Sequence, residues 1–348
     1  MEDNLFPKQN RCALVIAWQG PWRPWINLWI ETCRWNPNWA FFVFSNQPPP
    51  TGAKTAQNIQ FVQLNLKEFE QRFVNFLGRP FPRGGGYKFC DFKPTYGQLF
   101  ADYLKPFTHW GYCDEDMFFG QLDGFFTDQI LNDYDIITSC RCCIVGQFTI
   151  FKNRTELRTL YTQIPAIDVL LADPGYKTVD ENILNSYLLT QESSGKLRVL
   201  RKQMQTHDVH SEEWQRWADD LEQREYGHPH GLLIHGPAVW SGGKINNLAT
   251  GKEFAFFHFG SWKKLWAMPT VKPLPPYIGG WITHSRGLSF LRKDNASAFP
   301  FFEYVVRFKM HSIIRRVHRT GKRNLFHSIH SLRQRKADWA RNRENAKI

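Results

Sequence analysis

Two stretches, Cys12–Trp18 (CALVIAW) and Trp39–Ser45 (WAFFVFS), are apolar at nearly every position, and nothing else limits the possible folds of this chain so strongly. A strand with one wet face alternates polar and apolar residues. A short run without alternation fits a strand covered on both faces. The first run ends at Gln19-Gly20-Pro21, a turn signal, and helical character follows from about Trp25 to Arg34, stopped at Asn36-Pro37. The second run closes in Pro48-Pro49-Pro50. Ile59 to Leu64 reads as a third strand and Leu66 to Leu77 as a helix. Strand, helix, strand, then strand and helix predict an α/β sheet of largely parallel order flanked by helices.

Further along, Arg79 to Gly86 is a loop rich in Gly and Pro, and Lys88 to Leu104 is predicted mostly helical after Pro94. Strands are expected at Trp110 to Cys113, Asp135 to Ser139 and Gln147 to Phe151, and a helix at Asn182 to Leu189. The polar stretch 203–231 reads as an insertion or mobile surface. Phe254 to Phe257 is apolar again and delivers His258. The expected organisation is one domain over 1–300 and a separate tail over 301–348. Gly84-Gly85-Gly86 lacks the Lys-Ser/Thr of a phosphate loop and reads as a plain flexible loop.

Charge sets the tail apart. Of a net +12 over 348 residues, the segment from Arg307 onward carries 13 Lys/Arg against Asp338 and Glu344, leaving the first 306 residues nearly neutral. Within it Ile313, Ile314 and Val317, then Leu325, Phe326, Ile329 and Leu332, recur at helical spacing beside Arg315, Arg316, Arg319, Lys322 and Arg323. A basic amphipathic pattern of this kind reads as a helix lying on an anionic membrane surface. An apolar share of 42% excludes a disordered or fibrous chain. No apolar run reaches the length of a membrane span, and Met1-Glu2-Asp3-Asn4 lacks the layout of a signal peptide. Seven scattered cysteines, Cys140, Cys142 and Cys143 among them, read as reduced thiols. The expected location is cytoplasmic, peripheral on the inner membrane face.

The central chemical feature is Asp114-Glu115-Asp116, directly after a short apolar strand. Carboxylates two residues apart in an extended or turning segment both reach one hard divalent cation. In open α/β sheets, ligands bind at the carboxyl ends of the strands, where this pair is expected. The second feature is His258-Phe-Gly260-Ser-Trp-Lys263. Gly260 allows close backbone approach, and Lys263 offers a point charge suited to phosphate. An imidazole with two carboxylates and diphosphate oxygens is a mixed donor set that suits Mn²⁺, with Mg²⁺ as the alternative. His228-Pro-His230 with His235 reads as exposed loop histidines, not a second metal site.

These residues resemble GT-A glycosyltransferases. Asp114-Glu115-Asp116 is similar to their Asp-x-Asp motif, and His258 to Lys263 is similar to the His-x-Gly-x-x-Lys motif of family 8, which includes glycogenin and bacterial lipooligosaccharide galactosyltransferases. Lys88-Phe-Cys90-Asp91-Phe-Lys93-Pro94-Thr-Tyr96-Gly97, Trp110 to Asp116 and Gly146-Gln-Phe148-Thr149 are similar to bacterial glycosyltransferase-like proteins that occur with capsule and O-antigen synthesis. The resemblance implies that Asp114, Asp116 and His258 hold the metal. It implies that Gly260 and Lys263 hold the diphosphate, that Lys88, Asp91, Lys93 and Glu115 lie at the nucleotide-sugar, and that Ala17, Trp18 and Gln19 face the nucleobase. Two positions depart from the pattern: Lys264-Leu265-Trp266 replaces Pro-Trp, and Ser45-Asn46 stands where relatives often have Asp.

The implied activity is transfer of a hexose from a nucleotide-diphosphate sugar, a UDP-sugar favoured, to a saccharide or lipid-linked glycan acceptor in surface polysaccharide synthesis. Family 8 enzymes retain the anomeric configuration, so retention is favoured. Asp180-Glu181, ahead of a helix, is the candidate catalytic carboxylate pair on the acceptor side, and its plain alternative is a helix N-terminal charge. A different class is a non-enzymatic nucleic-acid or membrane-binding protein acting through the basic tail. Confinement of the charge to one end argues against nucleic acid as a partner. A glycoside hydrolase is disfavoured, because Asp114 and Asp116 stand too close in sequence to flank a sugar.

Overall fold

The two apolar runs lie side by side. In the computed structural model, β1 (Cys12–Trp18) pairs in parallel with β2 (Trp39–Ser45) along its whole length, from Cys12 opposite Trp39 to Trp18 opposite Ser45. The structure describes residues 12–51, 56–78, 81–82, 86–140, 143–202, 205–207, 238–247, 251–260, 278–284, 287–292 and 298–299. All of these fall within the unit Met1–Phe299.

Pleating sends alternate residues to opposite sides, and both sides are buried. Ala13, Val15, Ala40, Phe42 and Phe44 join one core with Trp110 and Tyr112, whereas Leu14, Ile16, Phe41 and Val43 join another with Cys113. Helix α1 (Ile26–Arg34) covers the second face with Ile26, Trp29, Ile30 and Cys33. Helix α2 (Leu66–Leu77) covers the first with Phe69 and Phe73. The start of α2 is fixed by a reciprocal capping box: Asn65 accepts from the Glu68 N–H while Glu68 accepts from the Asn65 N–H. Gly78, at a φ of 68°, ends it in the left-handed conformation.

The main sheet has seven strands among the described residues, in the order β3-β2-β1-β4-β7-β6-β8. Its further members are β3 (Ile59–Gln63), β4 (His109–Cys113), β6 (Ile136–Thr138), β7 (Phe148–Lys152) and β8 (Val199–Arg201). The pairs β1–β2, β1–β4, β2–β3 and β6–β8 are parallel, as expected for an α/β sheet. β7 runs antiparallel to both neighbours.

Other parts differ from expectation. Lys88 to Leu104, expected to be mostly helical after Pro94, is a series of single helical turns, Lys88–Asp91, Lys93–Thr95, Tyr96–Leu99 and Ala101–Leu104. Pro94 lacks an N–H with which to continue the first turn. Within the stretch read as an insertion, β9 (Gln205–His207) is a strand, and 208–231 lies outside the described residues. A second, antiparallel sheet went unanticipated, ordered β12-β11-β10-β14-β15-β16. Its strands are β10 (Ala238–Ser241), β11 (Lys244–Asn247), β12 (Glu253–Phe254), β14 (Ile278–His284), β15 (Gly287–Arg292) and β16 (Ala298–Phe299). It packs on α1 through Trp240, Trp281 and Ile245 against Trp25 and Leu28. No described helix is long and apolar enough to cross a membrane. The tail and its Arg315, Arg316, Arg319, Lys322 and Arg323 lie outside the described residues, as do Lys263, His228, His230 and His235.

Candidate functional site

Asp114 leaves β4 at its carboxyl end, and its N–H donates to the Gln147 carbonyl (3.2 Å) just ahead of β7. Three residues on, the chain re-enters a strand, β5 (Met117–Phe119). That strand pairs antiparallel with β13 (Phe256–His258), with His258 opposite Met117. The Phe259 N–H donates to the Asp116 carbonyl at 3.0 Å, which closes the ladder beside the acidic turn. On its other side β13 runs parallel to β9. Strand register thus brings together two motifs far apart in sequence.

The result is a three-residue cluster. Ligand atoms of Asp114, Asp116 and His258 lie within 4.8 Å of one another. His258 Nε2 is 3.5 Å from Asp116 Oδ1, and the Asp116 side chain is 3% exposed, against 27% for Asp114. Two hard oxygen donors with one imidazole suit a divalent ion such as Mn²⁺. Space is kept for it as well. A Cβ at Gly260 would approach Cε1 and Nε2 of the His258 ring to 2.9 and 3.0 Å, so a side chain there would displace the imidazole.

Behind Asp114 stands a buried relay. Lys93 Nζ donates to Asp114 Oδ1 (2.6 Å) and to the Gly146 carbonyl (2.7 Å), and lies 3.7 Å from Asp180 Oδ2. Burial opposes the ammonium charge, but Asp114 and Asp180, with Cys90, outweigh it and hold the Lys93 pKa well above its usual value. The Asp180 carboxyl is pushed up to about 7, first by burial, then by Glu181 and Asp114, with Lys93 and the Tyr176 hydroxyl pulling the other way. Tyr176 donates to Asp180 Oδ1 at 3.1 Å. Glu181 accepts from the Gly146 N–H at 3.2 Å. A Cβ on Gly146 would overlap the Asp180 carboxylate, so only glycine lets the two segments meet. Asp180 and Glu181 sit in the turn Val179–Ile183 that leads into the helix Leu184–Ser193. Two carboxylates, Asp114 and Asp180, thus flank one buried lysine, with Glu181 on the adjoining Gly146.

The other sequence-derived residues fall into two groups. Glu115 is half-buried between the two aspartates. At the carboxyl end of β1, Trp18 donates from Nε1 to the Gly20 carbonyl (3.0 Å), and the Arg23 guanidinium lies 4.9 Å from its ring. Ala17 packs on the core beneath. Asn46, at the departure from the family pattern, accepts from the Gly20 N–H at 2.9 Å and so ties the ends of β1 and β2 together. Both polar atoms of the Gln19 amide are shut from water without a hydrogen-bond partner, an arrangement that carries a free-energy cost until a ligand or water completes it.

Lys88 and Asp91 are placed differently from what the resemblance implies. Their side chains are fully buried and paired with each other at 2.9 Å. Lys88 also donates to the Leu170 and Gly175 carbonyls, and Asp91 accepts from the Lys177 and Val179 N–H groups. Paired with each other and bonded to these backbone groups, they position the segment 175–179. Tyr176, by contrast, carried no sequence signal as a site residue; a lone aromatic in a polar stretch has no pattern to betray it.

The fold and its site are thus those of an α/β protein with a candidate divalent-metal cluster at the carboxyl edge of its parallel strands. The chain belongs to DUF6625, a family of unknown function, whose family model matches residues 14–268. No curated protein matches it in sequence. Among solved structures it is similar to the apo form of the glycosyltransferase GlyE of Streptococcus pneumoniae TIGR4, at 11% identity and a TM-score of 0.33 over 56% of this chain and 46% of that one. The chain therefore spans less than half of that protein's solved length. It is also similar to the galactosyltransferase LgtC in complex with donor and acceptor sugar analogs, at 10% identity and a TM-score of 0.40, covering 71% of this chain and 86% of that one. An active-site mutant of LgtC gives 11% identity and a TM-score of 0.39 over the same shares.

Proposed function

We propose that this chain is a metal-dependent glycosyltransferase of the GT-A type, moving a hexose from a nucleotide-diphosphate sugar to a saccharide acceptor. The observation that carries this reading is the convergence of Asp114, Asp116 and His258 at the end of the parallel strands. There, ligands of open α/β sheets bind. A Mn²⁺ or Mg²⁺ ion held by these three residues supplies positive charge opposite the departing diphosphate, where negative charge builds as the sugar–phosphate bond breaks.

The chain's own groups do the rest. Lys263 adds charge to the diphosphate. Lys93 holds Asp114 in the orientation its ligand role needs, because its ammonium bonds Asp114 Oδ1 and is itself braced by Gly146. The Gln19 amide, with no hydrogen-bond partner, is assigned to the nucleobase, and uracil, whose N3–H donor beside a carbonyl acceptor matches an amide's acceptor and donor, is the favoured base. Asp180, 3.7 Å from the ammonium that bonds Asp114, and Glu181 beside it act towards the acceptor. Retention of configuration, a role in surface polysaccharide assembly, and a cytoplasmic place on the inner membrane face through the basic tail complete the proposal.

The test is nucleotide release from a panel of UDP-, GDP- and CMP-sugars with Mn²⁺, wild type beside Asp116→Ala. Release from one donor that vanishes in the variant is the expected result. If no donor is bound or turned over with either metal, the proposal fails.

A further inference from the structure

Large apolar side chains more than a third exposed are few among the described residues, and two of them, Tyr87 (61%) and Tyr176 (37%), are neighbours, with ring centroids 6.0 Å apart. Single exposed aromatics need no explanation. This pair is held in place. Tyr87 immediately precedes Lys88, whose ammonium bonds the carbonyl of Gly175, just ahead of Tyr176. Asp91 accepts from the N–H groups of Lys177 and Val179, just beyond Tyr176. Between those two, Thr178 sits at a φ of 58°, a left-handed conformation that non-glycine residues seldom adopt. Such strain persists only where the surroundings impose it. Charges buried as a pair add little net stability, and their better-attested use is to specify geometry. Here one buried pair fixes both tyrosines.

The platform also has a direction. The Tyr176 hydroxyl donates to Asp180, Asp180 lies beside Lys93, and Lys93 bonds Asp114. Followed away from the candidate metal ligand Asp114, this relay passes through the buried Lys93 and Asp180 and ends at the two exposed rings. A donor diphosphate occupies the inner end, so the outer end is left to whatever arrives from solvent.

We propose that Tyr87 and Tyr176 form the acceptor platform, on which the apolar face of a sugar ring stacks. The proposal rests on the transferase reading above. Aromatic rings suit such a ligand because they offer a large rigid apolar face at small entropic cost, and the Tyr176 hydroxyl keeps one ring from turning.

The test uses the full chain and four probes: the methyl β-glycosides of glucose, galactose and N-acetylglucosamine, and lactose. Binding is read by saturation-transfer NMR. Metal-dependent UDP binding is measured in the same samples. Wild type is expected to contact one ring face of at least one probe, and Tyr87→Ala to weaken that binding by about fivefold or more. Tyr176→Phe, which keeps the ring, is expected to retain most of it. Trp35→Ala removes another exposed aromatic, at 47%, packed on Trp240 of the second sheet, and is expected to change nothing. Equal binding by wild type and Tyr87→Ala, no contact with any probe in wild type, or an equal loss in Trp35→Ala overturns the platform. Absence of metal-dependent UDP binding in wild type instead removes the transferase reading, and with it the name acceptor, whatever the sugar data show.

Discussion

At the scale of single residues, the site depends on two glycines for space and on one carboxyl for its response to pH. Gly260 keeps the His258 ring where it is, since a Cβ would press on Cε1 and Nε2. Gly260→Ala is therefore expected to weaken Mn²⁺ binding by about tenfold, the usual size of a disturbance just outside a ligand shell, with the melting temperature little changed; electron paramagnetic resonance titration of free Mn²⁺ measures it. Asp180 gives the pH prediction. Its carboxyl is raised from 3.8 to about 7 in the folded chain, so between those values the folded state holds a proton that the unfolded state has released. Stability from this group is complete at low pH and is lost as pH rises through that window. Urea unfolding of the metal-free protein at pH 5 and pH 7.5 is expected to show wild type losing stability upward, and Asp180→Asn losing less. Such facts are only partly legible in a sequence. Asp114, Asp116 and His258 stood out by motif. The burial of Lys88 and Asp91 did not, because a charged side chain enclosed by backbone partners reads in sequence like any surface charge.

At the scale of elements, local chemistry and packing carry different weights. Helix α2 has both of its ends written in the sequence, Asn65 with Glu68 and then Gly78, and its predicted bounds coincide with the observed ones. Asn65→Ala is expected to cost about 1 kcal/mol, visible as a lower urea midpoint with an unchanged slope. The turns between Lys88 and Leu104 are the opposite case. Their course is set by the Lys88–Asp91 pair and by Gly97, where a Cβ would overlap the Trp110 ring, and neither contact is visible until the sheet is formed. Removing one partner of a fully buried pair leaves the other charge stranded. Asp91→Ala is thus expected to destabilise by about 3 kcal/mol or more, and the double variant Lys88→Met/Asp91→Leu to remain destabilised, because the Lys177 and Val179 N–H groups lose their acceptor. Amide exchange around 175–179 distinguishes the positioning role, since it should quicken in both variants.

At the scale of the molecule, apolar runs predicted six of the seven described strands of the main sheet, because strands buried on both faces need no partner information to be recognised; the half-buried β8 carried no such run. The second sheet escaped because its strands are less uniformly apolar. One signal was present. Ser241-Gly242-Gly243-Lys244 is a two-residue hairpin turn with φ of 57° and 77° at its glycines, the pattern that type I′ turns require. The metal ligands themselves come from two segments joined only through β5 and β13, so a bound ion acts as a clasp. A Mn²⁺ concentration about a hundredfold above its dissociation constant is expected to add about 2.7 kcal/mol to unfolding, read as a higher melting temperature that Asp116→Ala abolishes.

The pairing of β5 with β13 has one more consequence. Side chains alternate along a strand, so a slip of one residue would turn His258 away and offer Phe257 or Phe259 to the aspartates instead. No intermediate arrangement exists between a complete ligand set and a broken one. The stretch of chain between the two motifs can therefore lengthen, shorten or acquire new surface over evolutionary time without retuning the chemistry, provided that these two short ribbons still meet in step.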